Sequence, residues 1–139
     1  MSGDLNGIVQ PGRGLGSALM ADVHKLARLE EIAGFALVPG TLNLRLPAPL
    51  ERTPGWWYLP AAEITPAWPA QTGQTGYFMA FVTIARRYRG LAFQAEEPDG
   101  PGYPPDQLEL LSEAHLRRAL GLSDGDAVEV VVRTTLPLQ

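Results

Sequence analysis

The stretch Pro39-Gly40-Thr41-Leu42-Asn43-Leu44-Arg45-Leu46 decides the fold of this chain. A Pro-Gly turn signal opens a strict polar/apolar alternation, and successive side chains of a β-strand point to opposite faces. Thr41, Asn43 and Arg45 therefore share one face, and Leu42, Leu44 and Leu46 share the other. The leucines are expected in a core. On the polar face, the Thr hydroxyl and the Asn carbonyl are neutral, hard oxygen donors two residues apart. That set suits a Mg²⁺ ion whose negative ligands come mainly from a bound nucleotide. A half-buried strand with a solvated Thr/Asn face shows the same alternation, so the pattern alone leaves both readings open.

The surroundings of this strand point to a mainly β domain. The chain has 139 residues, of which 45% are hydrophobic, a length that favours one domain over residues 1–139. Its 13 Pro and 15 Gly predict many turns and argue against a helical bundle. Upstream, Gly7-Ile8-Val9 opens an apolar run, and Ala18 to Ala33 has helical spacing at Val23, Leu26, Ala27 and Ile32. We expect a helix over about residues 20–33, stopped by Gly34. Downstream, Pro47 and Pro49 end regular structure. Trp56 to Leu59 and Glu63-Ile64 are expected as short strands, and residues 65–76 as a loop. Tyr77 to Ala85 and Gly90 to Ala95 should be strands joined by a basic turn at Arg86 to Arg89. A helical segment capped by Asp106 or Ser112 should follow and end at Gly121. The Asp124-Gly125-Asp126 turn then leads into a last strand from Ala127 to Arg133. Short strands, one or two helices and long loops fit a small closed or nearly closed barrel whose loops carry the site. A doubly wound α/β sheet would need helices that residues 47–76 and 86–105 do not offer.

Charge and cysteine content narrow the function. There is no Cys, which excludes a disulfide framework, a thiol nucleophile and Cys-based metal sites. No 18-residue apolar run or charged-then-apolar start is present, so no membrane partner and a cytoplasmic location are expected. The net charge of -4 gives no general attraction to nucleic acid. Lys25 is the only lysine among 11 basic residues, so phosphate recognition would fall to Arg and backbone N–H groups.

Several motifs qualify as site candidates. Gly12-Arg13-Gly14-Leu15-Gly16-Ser17 lies between the expected first strand and helix, where successive N–H groups can cradle phosphate. It matches neither the Rossmann nor the Walker pattern. His24 and His115 are the only histidines, and neither has metal or triad spacing. His115, Arg117 and Arg118 could contact phosphate or simply favour a helix C-terminus. Trp56 and Trp57 could stack on a flat ring or pack in the core.

In order and spacing, these pieces resemble the archaeal-type CTP-dependent riboflavin kinase family, from about Gly7 to Val132. Gly7-Ile8-Val9 with Gly12-Arg13-Gly14-Leu15-Gly16 is similar to the family's glycine-rich opening. This implies that Gly12, Arg13, Gly14, Leu15, Gly16 and Ser17 line the cytidine nucleotide. Gly34-Phe35 followed by Pro39-Gly40-Thr41-Leu42-Asn43-Leu44 resembles the most specific family motif, which implies Mg²⁺ on Thr41 and Asn43. Tyr103-Pro104-Pro105-Asp106-Gln107-Leu108-Glu109 resembles the flavin segment, implying a flavin contact by Glu109. Ala114-His115-Leu116-Arg117 and the run from Leu120 to Val130 are similar to the nucleotide-contacting and closing segments. The implied fold is a six-stranded cradle-loop barrel. The implied reaction moves the γ-phosphoryl of CTP to the riboflavin 5′-hydroxyl, giving FMN and CDP, with no catalytic base indicated by the residues.

The chain departs from the family pattern at three places. Pro101 stands at the position of a flavin-contacting threonine and has neither hydroxyl nor N–H. Ser112-Glu113 replaces Ala-Pro, and His115 replaces a lysine, which together lower the expected positive charge near the phosphates. A non-catalytic flavin- or nucleotide-binding module, or a related kinase with another acceptor, would use the same residues.

Overall fold

The structure is a computed structural model in which residues 4–11, 23–63, 75–96 and 103–133 are described, the side chains of residues 23–25 excepted. Its strands are β1 (Asp4–Gln10), β2 (Leu42–Arg45), β3 (Trp57–Pro60), β4 (Gly76–Ile84), β5 (Tyr88–Glu96), β6 (Gln107–Ser112) and β7 (Ala127–Val132). The helices among the described residues are α1 (Val23–Ala33) and the four-residue α2 (Leu116–Ala119), with a 3₁₀ turn at Ala61–Glu63.

All strand pairings are antiparallel, and the order β4-β5-β6-β2-β1-β7 closes on itself through β4–β7 into a six-stranded barrel. Closure depends on how β4 is shared. One edge of β4 pairs with β5 over its whole length. The other is divided between β3, opposite Gly76 to Met79, and β7, opposite Val82 to Ile84. β3 is thus an added seventh strand at the rim, and Pro60 at its end is tolerated because its outer edge makes no ladder among the described residues.

The alternation in β2 now has a physical meaning. Leu42, Leu44 and Leu46 join Val9, Val82, Ile84, Leu108, Leu110 and Val130 inside the barrel. Outside, a second apolar cluster packs Leu29, Ala33 and Leu37 with Met79, Phe81, Leu91, Phe93 and Leu111. Leu26, Leu29 and Ala33 recur at helical spacing, which is why α1 lies on that outer wall. The helix ends where expected. Gly34 adopts φ +84°, a conformation costly for other residues, and its N–H bonds to Glu30 O at 2.9 Å. Gly40, at φ +102°, makes the turn that starts the decisive strand.

Three expectations are corrected. Residues 107–112 form strand β6, and neither Asp106 nor Ser112 caps a helix: this strand is buried on both faces, so it lacks the period of two that identifies a half-exposed strand. His115 caps the short helix instead. Glu63 lies in the 3₁₀ turn rather than in a strand. The expected basic turn is Ala85–Arg87, and its arginines are partnered rather than merely solvated. Arg86 pairs with Glu129 at 2.8 Å, Arg89 with Glu113 at 2.8 Å, and Arg87 stacks 5.2 Å from the Tyr88 ring centroid. Residues 20–22 and 64–74 lie outside the described residues.

Gly90 of β5 is crowded by β6 and by Ile84. A Cβ added there would lie 2.4 Å from Leu111 O and 2.7 Å from Ile84 Cδ1. Because the first contact is backbone, it cannot be relieved by a rotamer change. Gly90→Ala is expected to lower unfolding stability by about 1–3 kcal/mol, read from the urea midpoint. An unchanged midpoint would contradict this strand approach.

Candidate active site

Cross-strand register assembles the site from residues distant in sequence. Directly opposed residues of neighbouring strands lie on one face with adjacent Cβ atoms. Gln10 opposes Asn43, Asn43 opposes Glu109, Glu109 opposes Phe93, Phe93 opposes Met79, and Met79 opposes Trp57. This row crosses the outer wall from β1 to β3, polar at one end and apolar at the other. Asn43 and Glu109, each only 8% exposed, are its polar centre.

Burying a carboxylate and an amide requires hydrogen-bond partners. Thr41 Oγ1 donates to Glu109 Oε1 at 3.2 Å, and the Tyr103 hydroxyl donates to Oε2 at 2.7 Å. Gln107 Nε2 donates to Asn43 Oδ1 at 3.0 Å. With its hydrogen turned to Glu109, the Thr41 oxygen accepts from no donor among the described residues, and Asn43 Oδ1 accepts from one, so both have lone pairs to offer. Two neutral oxygens beside a carboxylate fit a hard divalent cation that also takes phosphate oxygens. Among the described residues, no group of three or more His, Cys, Asp or Glu could hold a metal by itself.

Of the phosphate-side candidates, Arg117 reaches the same end of the row. Arg117 Nη2 donates to the backbone oxygen of Gln10 at 3.3 Å and to Asp124 Oδ1 at 2.7 Å. It is thereby anchored on Gln10, the residue that opposes Asn43, two residues before Gly12. Leu116 is buried in the barrel core, so only its backbone is available to a ligand. The Ala114 N–H donates to Ser112 Oγ at 3.3 Å. His115 Nδ1 accepts from the Arg118 N–H at 3.3 Å, so Nδ1 is committed to the helix cap. Gly12 to Ser17 and Pro101 lie outside the described residues.

The aromatic candidates divide. Trp57 lies partly buried on the outer wall and stacks on Phe81 with centroids 5.0 Å apart. Trp56 packs against the interior of the barrel and so does not share the site face. Tyr103 is held at Glu109 by its hydroxyl while its side chain packs against the outer apolar cluster.

Two site residues escape a sequence reading. Gln107 is visible only once residues 107–111 are recognised as a strand, since it then shares a face with Glu109. Gln94, only 4% exposed, is a polar interruption in the apolar run Leu91-Ala92-Phe93-Gln94-Ala95. Its Nε2 donates to the backbone oxygens of Pro105 at 3.0 Å and Gln107 at 2.8 Å.

The Ser112-Glu113 departure serves the link between β5 and β6. Ser112 Oγ donates to Arg89 O at 2.8 Å, and Glu113 accepts from the Arg89 guanidinium and its backbone N–H. The Glu113 charge is thus compensated locally. The Arg89 side chain, with its backbone N–H, holds the Glu113 carboxyl below its ordinary value of 4.5. A carboxyl lowered in the folded state stabilises the fold above that ordinary value, and the contribution disappears as pH falls through the lowered one. Glu113→Gln should therefore lose less stability than the parent between neutral pH and about pH 3, in urea unfolding. Equal acid losses would contradict the pairing.

Residues 9–132 match the family model CTP-dep RFKase, described as "Domain of unknown function DUF120". A riboflavin kinase of Methanococcoides burtonii is 32% identical over 93% of this chain and 56% of its own length. One from Methanospirillum hungatei is 35% identical over 95% of this chain and 58% of its own. One from Ignicoccus hospitalis is 30% identical over 92% of this chain and 70% of its own. The chain thus spans little more than half the length of the first two relatives. Among the described residues, no helix is long and apolar enough to cross a membrane.

Proposed function

The chain belongs to the DUF120 family of CTP-dependent riboflavin kinase domains, and on that premise we propose that it transfers the γ-phosphoryl of CTP to the 5′-hydroxyl of riboflavin, giving FMN and CDP. The observation that carries this reading is the convergence of Thr41, Asn43, Glu109 and the Arg117–Gln10 anchor on one end of one cross-strand row.

Phosphoryl transfer asks for positioning and charge compensation more than for covalent chemistry by the protein. Thr41 and Asn43 would hold Mg²⁺, which when bound neutralises charge on the phosphates. Glu109 orients the Thr41 hydroxyl, and Tyr103 holds Glu109 in turn. Arg117, already shared between Asp124 and Gln10 O, is set to compensate phosphate charge. Ala114, His115 and Leu116 would border the nucleotide. Glu109 would also make the polar contact to the flavin that the family resemblance implies, and Pro101 has no donor to add to it. Both Glu109 oxygens already accept hydrogen bonds from hydroxyls, so it is assigned to binding rather than to proton removal. The alcohol can lose its proton late in a loose transition state.

Incubation with riboflavin, Mg²⁺ and CTP should yield FMN, detected by chromatography, with ATP a poorer donor. Thr41→Ala and Asn43→Ala should each reduce kcat/KM by about 10²-fold or more. Flavin or CTP binding without FMN formation would instead identify a non-catalytic module, and a larger rate with ATP would overturn the choice of donor.

A further inference from the structure

An asparagine amide can present either its oxygen or its NH₂ group to a given neighbour, and at Asn43 the two ends are chemically opposite. The Gln107 Nε2–H group, 3.0 Å from Oδ1, selects one of them. Turning the amide over would set N–H against N–H. What holds the Gln107 backbone is visible where two strands part. Pairing of β5 with β6 ends at Phe93 opposite Glu109, although β5 runs on to Glu96. Beyond that point the buried Gln94 amide spans the gap, donating to the backbone oxygens of Pro105 and Gln107. Gln94 Oε1 accepts in turn from Arg52 Nη2 at 3.1 Å, and the Arg52 guanidinium lies 3.6 Å from the Phe78 ring centroid. A chain of contacts therefore runs from Phe78 to Arg52, Gln94, Gln107 and Asn43.

We propose that Gln107 is a positioning residue, anchored by Gln94, that holds the Asn43 amide with its oxygen available to the divalent cation of the nucleotide. This rests on the assignment of Asn43 as a cation donor. Partners that orient a metal ligand commonly contribute one to two orders of magnitude in metal affinity.

The test measures Mn²⁺ binding in the presence of CTP, by loss of the free-ion electron paramagnetic resonance signal, for the parent, Gln107→Met, Gln107→Ala and Asn43→Ala. Metal-free CTP affinity and thermal unfolding are measured alongside. Gln107→Met keeps the length of the side chain and loses its donor. It should weaken Mn²⁺ about tenfold, with metal-free CTP affinity unchanged, and Gln107→Ala should do the same. Parent-like Mn²⁺ affinity in both Gln107 variants, while Asn43→Ala is weakened, would overturn the positioning role and leave Asn43 as a ligand. Equal losses of Mn²⁺ and metal-free CTP affinity would overturn it in favour of general loosening. Parent-like affinity in Asn43→Ala would overturn the cation assignment itself, and this inference with it.

Discussion

Asn43 and Glu109 face each other across β2 and β6, and the surrounding chain is arranged to satisfy them. A buried amide and carboxylate without partners would cost several kcal/mol, an appreciable fraction of a small domain's stability of about 5–15 kcal/mol. The partners come from three directions: Thr41 from the turn before β2, Tyr103 from the segment before β6, and Gln107 from β6 itself. Satisfying this pair constrains both flanking segments, and it leaves oxygen lone pairs on one side of the wall.

The barrel makes that arrangement stiff. Leucines and valines fill its interior, so β2 cannot slip by one residue without turning Leu42 and Leu44 outward and Asn43 inward. Helix α1 covers the apolar part of the outer wall, while the polar end of the same wall carries the Asn43–Glu109 pair. Rigid strands under a polar row suit a reaction whose rate depends on holding phosphates and an alcohol in line. The added strand β3 is compatible with this design because it uses the part of the β4 edge that β7 leaves unpaired.

Much of this was legible in the residues, for identifiable reasons. β2 sets a polar row against a leucine core, so its alternation survives in the sequence, as do the Pro39-Gly40 turn and the Gly34 helix stop. β6 is obscured because Leu108 and Leu110 face one core while Leu111 faces another. A strand buried on both sides has no period of two, and its flanking Asp106 and Ser112 resemble helix caps. Thr41 and Asn43 were readable as a pair, and Glu109 through its motif. Gln94 and Gln107 were not, because an amide's role depends on where β5 and β6 separate, which no local pattern encodes. Glu113 changed meaning once Arg89 was seen beside it, since a charge expected near the phosphates is compensated by its neighbour.

The most direct test is the structure of the protein crystallised with Mg²⁺, CDP and FMN. The cation should lie on the oxygens of Thr41 and Asn43, with the CDP phosphates beside Arg117 and the flavin reaching Glu109. Products bound on another face, or a cation held without either Thr41 or Asn43, would contradict this arrangement.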